Sequence, residues 1–161
     1  MTVAFHNPVA AVQNPAFGAA LLWRFGLGYQ DEAAEAPMML LHFLVLPLML
    51  HAPTLALVVK TRPSSSVALF ASKLADQREE LVAVHERALK LRALTLESLS
   101  AGVTARLLSV NYDVASVRSN EARHPTPPER LKQHFSAAEK LGRWFARTPA
   151  DQTFTLLRVE V

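Results

Sequence analysis

A run of 24 residues without an acidic or basic side chain, residues 36–59, limits what this 161-residue chain can fold into. A membrane-spanning helix needs about 20 predominantly apolar residues, so the run is long enough to cross a bilayer. It also contains Pro37, Pro47 and Pro53. Because proline removes a helix hydrogen bond, we expect the helix to be interrupted at Pro47 and to end near Pro53. The sequence therefore favours a buried helix of a soluble protein over a membrane span.

The composition is typical of a single folded domain over residues 1–161. Half of the residues are hydrophobic and 19% are charged, which excludes disorder over most of the length. The absence of cysteine excludes a disulfide scaffold, a thiolate zinc site and cysteine catalysis. The first 17 residues have neither a basic start nor a compact apolar stretch, so we expect no secretory signal and a cytoplasmic location.

The hydrophobic pattern predicts helices, then a β-hairpin, then a helix and a strand. Asn14 followed by Pro15 marks a helix start, Asn7-Pro8 marks a possible earlier one, and Gly26 and Gly28 lie near a plausible end. The remaining predicted elements are the buried helix in 36–59, a helix at 66–76, the longest helix at 77–100 with a stop at Gly102, strands at 107–110 and 114–117 around a turn at 111–113, a helix from Pro128, and a strand at 153–161.

These elements predict a mainly helical α+β fold with a winged-helix-like core. Helices followed by a two-stranded ribbon are the element order of a winged helix-turn-helix, although many α+β folds share it. The predicted parts are an N-terminal helical segment (1–35), a helical core with the hairpin (36–118), a linker (119–127), and a C-terminal helix and strand (128–161). The core would thus be flanked by helices from both ends of the chain.

Positive charge is concentrated in residues 118–147, where seven basic residues oppose three acidic ones. Arg118, Arg123 and Arg130 lie next to the predicted hairpin and linker and could contact nucleic-acid phosphates. This pattern supports a stand-alone winged-helix DNA-binding protein as one interpretation. A solvated helix face explains the same charges.

No residue pattern in the chain predicts catalysis, a metal site or a cofactor. The six histidines show no metal-ligand spacing, so His42 and His51 are interpreted as core or capping residues. The five glycines form no phosphate-binding loop, and the serines at 64–66 are interpreted as a helix cap. We therefore predict that the protein is not an enzyme, with a metal-dependent enzyme as a minor alternative.

Two adjacent pairs of a tryptophan and an arginine suggest contact surfaces instead. Trp23-Arg24 lies in the first predicted helix and Arg143-Trp144 in the last. Both residue types favour protein interfaces when they are exposed, and a tryptophan in the core is the alternative.

Three sequence motifs, in order along the chain, resemble a known family. They are NPAFG (14–18) with LWRF (22–25) and GYQ (28–30); FLVLPL (43–48) with His51 and Pro53-Thr54; and LGRWFA (141–146). Together they resemble the middle component of bacterial three-component ABC ATPase systems, a group that includes the Lamassu-type anti-phage systems. The resemblance extends from about residue 13 to residue 161. The stretch LALVVKTRP (55–63) has fewer basic residues than the family pattern, which weakens a DNA contact there.

The resemblance implies a small, non-catalytic adaptor without a cofactor. Such a subunit would couple an ABC ATPase of the SMC or Rad50 type to an effector, for example a nuclease, and would meet DNA indirectly through the complex. On this interpretation we hypothesise that Trp23, Arg24, Tyr29, Gln30, Arg143 and Trp144 form or support one partner surface.

Overall fold

The computed structural model describes residues 13–123 and 126–161 and has a mainly helical α+β fold. In the described residues the helices are α1 (Pro15–Ala33), a 3₁₀ turn (Met39–Leu41), α2 (His42–Met49), α3 (Ala52–Lys60), α4 (Val67–Asp76), α5 (Arg78–Lys90), α6 (Arg92–Thr104), α7 (Glu129–Ala146) and α8 (Ala150–Leu156). The strands β1 (Leu108–Asn111) and β2 (Ser116–Ser119) form one antiparallel hairpin. The predicted fold class is confirmed. The possible helix start at Asn7-Pro8 lies outside the described residues.

The centre of the molecule is α1, which packs against both α6 and α7. Its start is the predicted one, because the Asn14 side chain accepts a hydrogen bond from the Ala16 amide at 2.8 Å and Pro15 follows. In the core, the Phe25 ring of α1 meets the Phe145 ring of α7 edge to face at 5.5 Å between centroids. The first and last long helices of the chain therefore share one hydrophobic core.

The uncharged run forms two helices with a sharp bend between them. The prediction of a buried helix is confirmed for α2, where every residue except Phe43 is buried. The break lies at residues 50–51, just before Pro53, which is in the first turn of α3. The interruption expected at Pro47 is absent, because Pro47 lies inside α2. Among the described residues no single helix is long and apolar enough to cross a membrane, although the pair Met39–Met49 and Ala52–Lys60, bent by 101°, passes that test together.

The bend is stabilised by side chains that donate hydrogen bonds to backbone carbonyls at the end of α2, where the helical hydrogen-bond pattern stops. Thr54 donates to the carbonyl of Leu48 at 2.6 Å. Arg87 of α5 donates from Nε to the carbonyl of Pro47 at 3.3 Å. His51 Nε2 lies 2.5 Å from Glu80 Oε2, and this contact connects the bend to the start of α5. Because buried carbonyls need donors, these contacts fix where the chain turns.

The hairpin is confirmed, but both strands lie further along the chain than predicted. The loop has four residues, 112–115, because the Asn111 side chain accepts hydrogen bonds from the amides of Asp113 and Val114. Ala115 then takes a left-handed conformation with φ 51°. The hairpin also binds an extended segment before α2, because the Val117 amide donates to the Pro37 carbonyl at 3.0 Å. A winged-helix arrangement of these elements stays a prediction.

The predictions for residues 77–102 and 153–161 were wrong. The longest predicted helix, 77–100, is two helices that meet in a kink at Leu91, and Gly102 lies inside the second of them. The predicted strand at 153–161 is instead α8 followed by irregular chain. Its alternating pattern TFTLLRVEV is typical of a strand, but burial of Thr153, Phe154 and Leu157 follows helical spacing. Tertiary packing therefore overrides the local preference of this segment.

Candidate partner surface

The candidate surface lies where α1 and α7 cross at backbone contact. A Cβ atom at Gly28 would lie 2.1 Å from the carbonyl oxygen of Glu139, and one at Gly142 would lie 2.1 Å from that of Phe25. Only glycine fits such an approach. The crossing brings the predicted residues Arg24 and Arg143 to opposite sides of Glu139.

Three arginines and three carboxylates alternate over this crossing and form what we call the crossing cluster. Its members are Arg24, Asp31, Glu32, Glu139, Arg143 and Arg147. Arg143 Nη1 lies 2.5 Å from Asp31 Oδ2, and its Nη2 lies 3.2 Å from Glu139 Oε1. Arg24 Nη2 is 3.8 Å from the other oxygen of Glu139. The cluster thus links the two helices with equal numbers of positive and negative groups.

The pKa values in the crossing cluster follow from these pairs. The Asp31 carboxylate, by accepting a hydrogen bond, holds the pKa of Arg143 above its usual range, with Glu139 adding to the effect. The hydrogen bond from Arg147 lowers the pKa of Glu32. Arg143 and Glu32 are therefore charged near neutral pH. Partly exposed ion pairs of this kind contribute little to stability, so the cluster chiefly displays ordered charge at the surface.

Arg147 also joins the crossing to the loop before α4. Its Nη1 donates to the carbonyls of Pro63 and Ser65 at 2.9 and 3.0 Å, while its Nη2 lies 2.8 Å from Glu32. Three segments distant in sequence thus meet at one guanidinium. The cluster is consequently held in place from three sides.

The structure places both predicted tryptophans in the core. Trp23 is 3% exposed and Trp144 is fully buried. The Trp23 indole donates to the carbonyl of Asn120 at 2.8 Å, and the Trp144 indole donates to that of Pro63 at 3.2 Å. The tryptophans therefore supply no exposed area, whereas their neighbours Arg24 and Arg143 belong to the crossing cluster.

Tyr29 and Gln30 lie on α1 beside the crossing, and each is partly buried. The Gln30 amide pairs with the backbone of Ser119, accepting from its N–H at 2.7 Å and donating to its carbonyl at 3.0 Å. Gln30 therefore attaches the end of β2 to α1. Burial, with Glu35 nearby, raises the pKa of the Tyr29 hydroxyl, so this group stays neutral and able to donate a hydrogen bond.

The predicted phosphate contacts lie elsewhere. Arg118 is on the exposed face of β2, opposite Ser109. Arg123 and Arg130 are exposed as well, one before and one after residues 124–125. Within residues 13–123 and 126–161 none of these three arginines forms an ion pair. They are thus available to solvent and distinct from the crossing cluster.

Sequence reasoning missed the role of Lys140, which follows Glu139 on α7. Its ammonium donates to the carbonyls of Val58, Val59 and Thr61 at 3.0, 3.2 and 2.9 Å. These carbonyls close the C-terminal end of α3, where a cation is favourable. Partial burial lowers the pKa of Lys140. No local sequence signal marks this contact, since it joins segments about 80 residues apart.

The described residues contain no group of three or more histidine, aspartate or glutamate side chains that could hold a metal ion. His42 is buried within α2, as predicted for a core histidine. His51 is the N-cap residue of α3, but its side chain makes no capping hydrogen bond and contacts Glu80 instead.

The fold and the surface together define a small, mainly helical α+β protein with one ordered, mixed-charge face on the crossing of its first and last long helices. The chain belongs to the ABC-three component (ABC-3C) system Middle Component 3 family, whose model matches residues 3–161. It is therefore one component of a multi-component system and has partner components within it. No curated protein and no solved structure matches the chain.

Proposed function

We propose that this protein is a non-catalytic adaptor that couples an ABC ATPase of the SMC or Rad50 type to an effector subunit, for example a nuclease, in bacterial anti-phage defence. The observation that carries the proposal is membership of a middle-component family across almost the whole chain. An adaptor of this kind acts in the cytoplasm and meets DNA through its partners. Its chemistry is that of a binding surface.

The proposed partner surface consists of Arg24, Tyr29, Gln30 and Arg143, supported from below by Trp23 and Trp144. The ion pairs of the crossing cluster are partly exposed and individually weak, so a charged partner can exchange them at small cost. Arginine contributes strongly to interfaces because its planar group binds carboxylates in two-point contacts. Gly28 and Gly142 hold the two helices together and fix the spacing of these groups.

The test is co-purification of the intact chain with the ATPase component of its own system. Arg24→Glu and Arg143→Glu each place a carboxylate beside Glu139, and we expect each to weaken binding by at least about tenfold. Lys132→Glu is the matched control, since Lys132 lies on the same helix in an exposed pair with Glu129. Circular dichroism and the midpoint of thermal unfolding show whether each variant stays folded. Wild-type binding by both folded arginine variants would reject this surface.

A second candidate function, stand-alone duplex DNA binding, is supported by the exposed and unpaired state of Arg118, Arg123 and Arg130 in the described residues. Against it, the hairpin loop carries Asp113 between Tyr112 and Val114, which is unfavourable near phosphate. If the isolated protein binds duplex DNA, its affinity falls steeply with salt and Arg118→Gln reduces the slope by about one. Absence of salt-dependent binding rejects this candidate.

A further inference from the structure

Four large apolar side chains lie exposed at intervals of seven residues along α5 and α6. They are Val82, Leu89, Leu96 and Val103, with exposed fractions of 58, 61, 49 and 44%. We call them the apolar stripe. A spacing of seven residues, close to two helical turns, places such side chains on one face of a helix. The stripe is therefore a surface suited to another helix.

The two helices that carry the stripe follow each other as one kinked rod. Each has 13 residues, and only Leu91 separates them. The Leu91 amide donates to the Arg87 carbonyl and the Thr95 amide donates to the Leu91 carbonyl, both at 2.9 Å. The helical hydrogen-bond pattern is thus kept on each side of the kink. Leu89 and Leu96 also lie on the same side of the two helices, because they line grooves with the neighbouring residues Leu40 and Met39, respectively.

Apolar grooves flank the stripe on the side of the 3₁₀ turn. One, of about 290 Å³, is lined by Leu89 with Leu40, Phe43 and Phe154. The other, of about 310 Å³, is lined by Leu96 and Val103 with Met39, Val110 and Tyr112. Seven of the ten large hydrophobic residues exposed in the described chain belong to the stripe or line these grooves: Leu40, Val82, Leu89, Leu96, Val103, Tyr112 and Val161. Leu69, by contrast, is on α4. An exposed apolar area of this extent marks an interaction site.

The order of the side chains along the apolar stripe indicates which partner packs against it. The stripe reads Val-Leu-Leu-Val and is the same in both directions, so a two-fold axis between Arg92 and Ala93 pairs valine with valine and leucine with leucine. The same axis relates Glu79, in the first turn of α5, to Arg106, which lies two residues beyond the end of α6, at both ends of the contact. Neither of these two residues has an ion pair within the described residues. Such self-complementarity is the signature of an interface between identical chains.

We propose that the stripe is the interface between two copies of this chain, with α5 of one copy antiparallel to α6 of the other. In this arrangement Tyr112, which is 83% exposed beside Val103, reaches the α5 end of the second copy. That end carries a shallow depression of about 380 Å³ lined by Arg78, Glu79 and Val82. The aromatic ring fits a site with an apolar wall and an arginine. The crossing cluster lies on other helices, α1 and α7, so this inference does not rest on the proposed function.

Sedimentation velocity of the intact chain over a wide concentration range tests the proposal. We expect a reversible dimer that Leu89→Asp and Leu96→Asp each weaken by at least about tenfold, because a carboxylate would be buried at the centre of the contact. Leu69→Asp is the matched control and leaves the dimer unchanged, since Leu69 is exposed to a similar extent on α4. The substituted leucines are exposed in one copy, so the variants should fold, which circular dichroism verifies.

Two further experiments test the antiparallel geometry. Glu79→Arg and Arg106→Glu should each weaken the dimer by about threefold, and the double variant should restore it. Because the chain has no cysteine, Ala93→Cys should form a disulfide between copies on oxidation, whereas Leu69→Cys should not. A monomer at every concentration, equal effects of the Leu69 and Leu89 substitutions, or use of the stripe only by a different component of the system would overturn the proposal.

Discussion

At the scale of the residue, His42 shows how a polar side chain is kept in the apolar core. Its ring is fully buried and meets the edge of Phe25 at 5.3 Å between centroids. The Nδ1 atom lies 3.2 and 3.3 Å from the carbonyls of Met38 and Met39, so the neutral ring donates a hydrogen from Nδ1. Burial lowers the pKa of His42 from 6.5 to about 4. The ring is therefore uncharged in the folded protein at neutral pH.

This low pKa predicts that acid destabilises the fold through His42. Between pH 6.5 and 4 the unfolded chain takes up a proton that the folded protein does not, so the free energy of unfolding falls as pH falls. The contribution of His42 amounts to about 3 kcal/mol between pH 7 and pH 4. Urea denaturation at several pH values measures it.

His42→Gln is the comparison variant, because glutamine can donate to the same carbonyls and does not titrate. Its unfolding free energy should depend less on pH in this window than that of the wild type. Part of the dependence will remain, since burial also lowers the pKa of His134. Identical pH dependence in the two proteins would contradict the role given to His42.

At the scale of the element, the crossing of α1 and α7 explains the glycines of the sequence motifs. The sequence suggested that α1 ends near Gly26 and Gly28, but it continues to Ala33 and ends at Ala34 in a left-handed conformation with φ 56°. A glycine inside a helix costs about 1 kcal/mol relative to alanine, so it persists where a neighbour needs the space. Here the neighbours are the backbone of α7 and, at Gly26, the side chain of Ser119.

We predict that Gly28→Ala and Gly142→Ala lower the free energy of unfolding by about 1–3 kcal/mol. Each new methyl group would clash with a backbone carbonyl oxygen, that of Glu139 or of Phe25, at the crossing. Unlike a side chain, the backbone of a packed helix cannot rotate to relieve the clash. This loss should exceed the gain in helix propensity that alanine brings. Guanidinium denaturation monitored by circular dichroism gives the values.

Gly102→Ala is the matched control for this prediction. A methyl group there would meet the end of the Leu108 side chain at 2.5 Å, and a side chain can rotate away. Its effect should be smaller than that of either crossing variant. A Gly28→Ala protein as stable as the wild type would show that α1 and α7 can move apart without a loss in the free energy of unfolding.

Local sequence signals correctly predicted the elements that have a clear helix cap or turn. They failed where contacts with distant parts of the chain determine the secondary structure. The caps at Asn14 and Ser66 were confirmed because a side-chain hydrogen bond within three residues defines each one. The segment at 153–161 was wrongly predicted as a strand, since the burial of Phe154 against the rest of the molecule sets its conformation. In the same way, the tryptophans were visible as motifs, but only the fold shows that they are buried while their arginine neighbours form ion pairs at the crossing.

At the scale of the whole molecule, the two ends of the described chain complete one core. The closest packing in the fold joins α1 to α7, and Lys140 of α7 also closes the end of α3. No local pattern in the sequence specifies that these segments meet, which is why the sequence predicted one domain but not its central pair. The linker at 119–127 stays a prediction, and one hydrophobic core contains residues from both sides of it.

This arrangement predicts that residues 1–123 do not fold cooperatively without residues 126–161. Removing α7 would expose Phe25, Gly28 and the buried face of α1, and would leave the last carbonyls of α3 without the Lys140 ammonium. We expect calorimetry of the shortened chain to show no cooperative transition, whereas the full chain shows a single one. Co-expression of the two pieces should restore the transition, because the α1–α7 contact needs no covalent link. A cooperative transition in the shortened chain alone would mean that α1, α6 and the hairpin form an independent core.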